Sequence, residues 1–447
     1  MSAESNGTNG ANGTNGVSVT NGVPETVKIA ESIKAKGPAV EVPVALTACN
    51  LKAVPALAQS IASLGEKAAS GSEDARLELV EHARSLVRAL ETPRETMIKH
   101  CWAQPASDTA IALGVDIGLF HLLAKDNGSA KNAKDLAKEL AVDPPLLCRL
   151  MRHLSTMGHI IEVGPDQYKP TSFSNSLTVP IIGDGYTCIF GGCAASLYKF
   201  HEYARHNNYR TPNSISDGSL QWAYNTKLNF FEHLQANPPY GVQFNHHMGG
   251  YRQGRPSWMD DGFYPVKERL LDGADTASDA ALIVDIGGSI GHDLDEFRRK
   301  YPDAKGRLIL QDLPLVISQI VKLDERIERM PYDFYDEQPV KGARAYYMHS
   351  VLHDWPDEAD VKILTRIKEA MKPGYSRLLI NENVIPLEKA QWEATALDIM
   401  MLTLLSSRER TEEDWHTLIE AVAGLKITKI YTPANGVESI IECELVA

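Results

Sequence analysis

Two stretches of this 447-residue chain combine residue types that could bind and activate a small molecule. In the first, Val284-Asp285-Ile286-Gly287-Gly288-Ser289-Ile290-Gly291, an apolar run reads as a buried strand, ends in a glycine-rich turn and leads toward a helix beginning near His292. Open α/β sheets bind ligands at such places, outside the carboxyl ends of their strands. The next strand ends in Gln311-Asp312-Leu313-Pro314, which puts an acid at the neighbouring strand tip, where it can accept hydrogen bonds from ribose hydroxyls. Loop and acid together specify a nucleoside-containing ligand. A pyrophosphate matches poorly, because it is cradled by backbone N–H groups and a helix N-terminus with no competing anion, whereas here Asp285 stands two residues before the first glycine. A cationic nucleoside suits that carboxylate better, and S-adenosylmethionine carries both a sulfonium and an ammonium.

The second stretch is Leu352-His353-Asp354-Trp355. Methyl transfer from a sulfonium is an in-line displacement, so oxygen, methyl and sulfur must be aligned and the accepting hydroxyl made more nucleophilic. A positioned base contributes roughly 10²–10⁴-fold, and histidine has the unperturbed pKa best suited to neutral pH. His353 follows the strand predicted over Ala343–His349, at the carboxyl edge where the nucleoside belongs. Asp354 reads instead as an N-cap, since Trp355-Pro356 and a helix follow it.

The elements that must position these groups alternate strand and helix from residue 281 onward. Strands are predicted at Ala281–Ile286, Arg307–Gln311, Ala343–His349 and Leu378–Asn381, which argues a parallel, doubly wound α/β sheet. Ile427–Tyr431 and Ile440–Leu445 lie too close together for an intervening helix and should pair as an antiparallel hairpin at the sheet edge. Upstream, apolar residues fall at helical spacing between about 50 and 125. Ala133 to Tyr168 reads as helix, Asp-Pro-Pro turn, second helix (Leu146 to Met157) and a short hairpin around Gly164-Pro165-Asp166, in the order of a winged helix. Residues 170 to 218 read as loop, and Leu220 to Leu234 as one helix. Three units follow: a disordered tail over 1–45, a helical winged-helix-like domain over 46–200, and the α/β domain over 201–447.

Composition narrows the functional classes. A net charge of −13 argues against general nucleic-acid affinity, and the second helix of the winged-helix stretch carries only Arg149, Arg152 and His153 as basic residues. No uninterrupted apolar run approaches the ~20 residues of a membrane span. The six cysteines, at 49, 101, 148, 188, 193 and 443, form no CxxC pair, so neither a disulfide framework nor a zinc site is expected, and no compact cluster of metal ligands is apparent. The N-terminus lacks the basic and apolar segments of a signal peptide, and a cytoplasmic setting is expected.

With these motifs assembled, the segment from about 75 to 447 resembles the caffeate-type small-molecule O-methyltransferases, in particular their fungal secondary-metabolite branch. The resemblance is carried by Val284-Asp285-Ile286-Gly287-Gly288, Gln311-Asp312-Leu313-Pro314, Leu352-His353-Asp354-Trp355, Asn381-Glu382-Asn383-Val384-Ile385-Pro386 and Arg408-Glu409-Arg410-Thr411, in that order. It implies a seven-stranded, Rossmann-like methyltransferase domain and an N-terminal domain that makes a homodimer. It further implies His353 as general base, with Glu382 and Glu409 orienting it or its surroundings. Cofactor contacts would fall to Asp285, Gly287, Gly288, Asp312, Leu313, Asp333, Phe334 and His349, and acceptor contacts to Phe244, Met248 and Met401. Ser289 departs from the third glycine of many relatives. The expected acceptor is a hydroxyl of a small aromatic or polyketide-type molecule, without a metal. Some members of this fold instead keep the cofactor as a bound cation and catalyse a pericyclic or dehydration step, which stays open at this stage.

Overall fold

The structure, a computed structural model, describes residues 25–36, 41–251, 254–433 and 438–445. Its central sheet has the strands β4 (Ala281–Ile286), β5 (Arg307–Asp312), β6 (Ile327–Pro331), β7 (Ala345–His349), β8 (Arg377–Ile385), β10 (Lys426–Tyr431) and β11 (Glu438–Glu444), in the order β10-β11-β8-β7-β4-β5-β6. The two-residue strand β9 (Arg410–Thr411) adds to the end of β8. All pairings are parallel except those of β11, which runs antiparallel to both β8 and β10. The expected edge hairpin therefore forms, with β11 inserted between β10 and the parallel strands.

Side chains alternate across this sheet. Val284, Tyr346, Met348, Leu378 and Ile380 face one core with Ile363, Leu364 and Ile367 of helix Asp357–Lys368. Ile283, Ala345, Tyr347 and Leu379 face a second core with Leu294 and Phe297 of helix His292–Lys300. Strands covered on both faces are apolar runs, as β4 and β8 are at their beginnings. β6 escaped the sequence reading because Ile-Glu-Arg-Met-Pro is short, half polar and lies at the sheet edge, where only one residue, Ile327, is fully buried.

The winged-helix unit is present as helices Ala133–Glu139 and Pro144–Thr156 with a small sheet of β1 (Lys131–Asn132), β2 (Ile160–Gly164) and β3 (Gln167–Pro170), ordered β1-β3-β2. Leu147, Met151, Leu154 and Tyr168 close its core against Ile111, Leu119 and Phe120. Before it, helices Val54–Ala69 and Glu73–Leu90 pack side by side, and Arg84 lies over the ring of Trp392 in the α/β domain, 4.8 Å from its centroid.

Several expectations need correction. The tail expected over 1–45 contains helix Glu25–Lys36 and a 3₁₀ turn, Val42–Leu46, while residues 1–24 and 37–40 lie outside the described residues. Helical structure over Val42–Ala69 is long and apolar enough to cross a bilayer by composition, although no unbroken apolar run marks it in the sequence. The boundary expected at 200/201 falls inside helix Phe200–His206. The stretch read as loop is mostly helical, including Pro180–Thr187, Cys188–Cys193 and Ala194–Tyr198. Its small residues serve packing: a Cβ on Gly185 would stand 2.5 Å from Nδ1 of His247 in helix Tyr240–Tyr251. The single helix Leu220–Leu234 is two, Ser219–Tyr224 and Phe230–Ala236. Asn225 turns left-handed (φ 50°) at the end of the first, and Asn229 caps the second in a reciprocal box with Glu232.

At the end of the sheet remote from the glycine loop, the fully buried Glu442 of β11 pairs with Arg269 and, at 2.7 Å, with Arg377. Glu442→Gln leaves two guanidinium groups facing a neutral amide. It is expected to lower unfolding stability by about 2–4 kcal/mol in urea titration, with cofactor affinity unchanged because the nucleoside end of the sheet is untouched.

Candidate active site

The glycine loop begins where β4 ends, and its first two amides are tied to β5. The N–H groups of Gly287 and Gly288 both donate to the carbonyl of Gln311, at 2.8 and 3.2 Å. The Gln311 side chain exchanges two hydrogen bonds with that of Gln338, at 2.8 and 2.9 Å, both amides being fully buried. A Cβ at Gly288 would lie 2.5 Å from the Asp285 carboxyl, and one at Gly287 2.9 Å from Val351. The turn thus closes only with glycine at both places. Ser289 is held left-handed (φ 54°), a conformation glycine adopts at less cost, and its N–H donates to Asp312 at 2.8 Å. The other Asp312 oxygen accepts the N–H of Leu313 at 2.7 Å. Burial pushes the Asp312 carboxyl up while these two amides oppose that shift.

Asp285 is fully buried beneath the loop. Asp333 and Phe334 follow β6, whose last residue pairs with Asp312, so they share one rim with it. Asp333 accepts the N–H of Tyr335, and Phe334 packs edge-on against Trp355. Asp312 and Asp333 stand on this rim with the Phe334 ring, and Asp285 lies buried behind the loop, an acidic set that fits a cationic nucleoside. His349 ends β7. Its ring nitrogens are committed to Asp293 (2.8 Å) and Glu438 (3.3 Å), so it meets this rim as part of a buried ion cluster. Burial opposes its protonation, but the two carboxylates dominate and push its pKa up to about 9.

His353 sits on a 3₁₀ turn, Leu352–Asp354, directly after β7. Glu382, buried within β8, accepts the N–H groups of Val351, Leu352 and His353 with a single oxygen, at 2.8, 2.9 and 3.4 Å. Its second oxygen lies 3.7 Å from Nδ1 of His353. Glu409 takes the Nδ1 proton at 2.7 Å and is itself held by the Asn383 amide at 3.0 Å and, through its own N–H, by Asp398. The tautomer is fixed, because a carboxylate accepts only from an N–H. Burial disfavours the imidazolium, yet Glu382, Glu409 and Asp354 together hold the His353 pKa well above its usual value. Asp354 is not the N-cap the sequence suggested. Pro356 occupies that position without a side-chain cap, and the Asp354 carboxyl stands 3.6 Å from Nε2 of His353, pushed up to about 7 by burial.

His353, Glu382 and Glu409 each bring a potential metal-ligating atom within 4.8 Å of the others, a cluster not apparent in the sequence. Those atoms already serve one another and the turn. Sequence reasoning named Arg410 and Asn383 only as parts of motifs and missed Asp398. Three consecutive polar residues, Asn381-Glu382-Asn383, all buried in a central strand, were the available signal.

Of the acceptor candidates, Phe244 and Met401 join one apolar cluster with Phe230, Leu404 and Leu405. Met248, one helical turn beyond Phe244, is half-buried. Phe244 packs on Phe231, and Phe231 on Trp355 at 6.2 Å, which carries the cluster to the turn bearing His353.

Fold and rim together define a nucleoside-dependent transferase with a buried histidine–carboxylate site at its strand ends. The O-methyltransferase domain family matches residues 258–426. The O-methyltransferase mpaG' of Penicillium brevicompactum is 38% identical over 389 residues, which is 87% of this chain and 97% of that protein. Among solved structures, LepI in complex with SAM, a pericyclase, superposes with a TM-score of 0.79 at 29% identity over 88% of this chain and 99% of LepI. OxaC in complex with sinefungin and meleagrin superposes with the same TM-score at 28% identity over 88% and 99%. The chain belongs to the O-methyltransferase family, whose methyl donor is S-adenosylmethionine and whose members act in secondary metabolism.

The His349 cluster makes stability depend on pH. Because its folded pKa is raised to about 9 from an ordinary 6.5, its contribution is complete below about pH 6.5 and is lost as pH rises through 9. The stability difference between the wild type and His349→Gln, read by urea unfolding, should shrink by about 3 kcal/mol between those pH values.

Proposed function

We propose that the protein moves a methyl group from S-adenosylmethionine to a hydroxyl of a small aromatic or polyketide-type secondary metabolite, with His353 as general base. The single observation carrying this reading is the 2.7 Å bond from Nδ1 to Glu409, which leaves Nε2 as the basic nitrogen at the strand ends. S-Adenosylmethionine supplies the electrophilic methyl and a positive charge that opposes protonation of His353. Nε2 takes the hydroxyl proton, and Glu409 stabilises the imidazolium so formed. Glu382 holds the turn, so the ring does not swing away when it gains charge. Asp312 would receive the ribose hydroxyls, Asp333 and Phe334 the adenine, and Gly287 and Gly288 the close approach of the cofactor, beside Leu313 and His349. Asp285 adds negative potential beneath the loop. Phe244 and Met401, with Met248 nearby, would grip the flat acceptor by ring and thioether contact.

Homodimerisation through the N-terminal helices belongs to the same proposal. It is supported by the exposed apolar side chains of Leu77, Val87, Leu90, Met97 and Trp102. A cytoplasmic location is likewise proposed, consistent with six free cysteines. The likeness to LepI supports a second reading, in which the cofactor stays intact and the reaction is pericyclic. The His353–Glu409 arrangement favours transfer.

Incubation with methyl-labelled S-adenosylmethionine and a panel of phenolic polyketides and flavonoids, followed by mass spectrometry, separates the two readings. Labelled product is expected. His353→Ala should lower its formation about 10²-fold or more at unchanged cofactor affinity; conversion of a panel member without label would move the assignment to the second reading. In Glu409→Gln the loss of one carboxylate lowers the His353 pKa. The rise of kcat with pH should therefore move to lower pH while its plateau falls about 10–100-fold, and a limb that stays in place would separate Glu409 from the titration of the base.

A further inference from the structure

The buried guanidinium of Arg410 has more partners than holding a helix would require. It is fully buried, and a charge so enclosed costs several kcal/mol unless it is paired. Pairing comes from Asp360, at 2.6 Å and equally buried, and from the half-exposed Asp357 at 2.6 Å, both in helix Asp357–Lys368. The remaining contacts go elsewhere. Nη1 donates to the carbonyl of Leu352 at 3.0 Å, and Nη2 to the carbonyl of Trp355 at 3.1 Å. These two carbonyls bracket His353 and Asp354. The Ser407 hydroxyl also donates to Trp355, at 2.8 Å, from the same segment. The guanidinium stacks over the ring of Trp415, 5.2 Å from its centroid, and the Trp415 indole N–H donates to the carbonyl of Asn383, the residue that holds Glu409.

We infer that Arg410 is a positioning residue for methyl transfer, fixing both ends of the turn that carries His353 while its chain neighbour Glu409 fixes the ring. The turn is restrained from two sides. Glu382 holds its amides from β8, and Arg410 holds its carbonyls from β9. Only a planar fork can reach two carbonyls and two carboxylates at once, so lysine does not substitute although it keeps the charge. The inference rests on His353 acting as base, and its test reads the imidazole separately from turnover.

Arg410→Lys is prepared in the full chain with ¹⁵N-labelled histidine. The Nδ1 proton of His353, shifted downfield by Glu409, should move and broaden, whereas the corresponding signal of His349 stays in place as an internal reference. kcat should fall about 10–100-fold with the dissociation constant for S-adenosylmethionine within about twofold of wild type. An unmoved His353 resonance overturns the inference, and so does parallel loss of cofactor affinity and turnover, which would make Arg410 a general structural stay. A moved resonance with unchanged kcat overturns the positioning role in transfer together with His353 as base, whereas an unmoved resonance leaves that reading of His353 standing. If the lysine variant does not fold, Asp357→Asn decides by the same readings, since it takes one anchor from the same guanidinium and leaves the buried Asp360. A moved resonance with a severalfold lower kcat is then the expected result, and an unmoved resonance overturns the inference.

Discussion

A carboxylate oxygen accepting three successive backbone amides is the constraint on which this site depends. Glu382 reaches from within β8 to the amides of Val351, Leu352 and His353, and so converts the exit from β7 into a turn with one conformation. Ser350, just before it, is forced left-handed (φ 52°), at a cost the surrounding hydrogen bonds must cover. Without that acceptor, three buried N–H groups would lack a partner, each costing about 1–3 kcal/mol. The histidine is thus delivered by backbone geometry before any side-chain contact orients its ring.

Aromatic packing connects the two halves of the site through the residue that ends the same turn. Trp355 touches Phe334 and Tyr335 beside the nucleoside rim on one side and Phe231 of the acceptor cluster on the other. Its carbonyl is held by Arg410 and Ser407. A shift of this indole would disturb both binding regions together with the base, which explains why so many polar groups are buried around a short 3₁₀ turn.

Charge is arranged with comparable economy. The rim and the transfer site together hold Asp285, Asp312, Asp333, Asp354, Glu382 and Glu409, and the carboxylates facing His349 and His353 raise the pKa of both imidazoles. Acid as enclosed as Asp285, Glu382 and Glu409 is unstable unless amides, guanidinium groups or imidazolium rings answer it, and each acid whose partners are described has them. A cationic nucleoside adds to this balance; an anionic one would oppose it.

Much of the site was legible in the sequence because its chemistry is local. A glycine pair after an apolar strand, an acid at the next strand tip and a histidine after a third strand can be read from spacing alone, and the alternation of strands and helices fixes the sheet that aligns them. Resemblance added Glu382 and Glu409. What the sequence did not contain was the partner of each group. That Glu382 serves amides more than the ring, that Asp354 faces Nε2 where an N-cap was expected, that His349 is enclosed by Asp293 and Glu438, and that Arg410 clasps the turn are all contacts between residues 29 to 89 positions apart, apart from Asp354 and its neighbour. Likewise the glycines near 185 looked like loop until helix Tyr240–Tyr251 lay against them. Propensity and spacing act over one turn or one strand, whereas burial, ion pairing and helix crossing belong to the tertiary structure, which alone decides which distant groups meet.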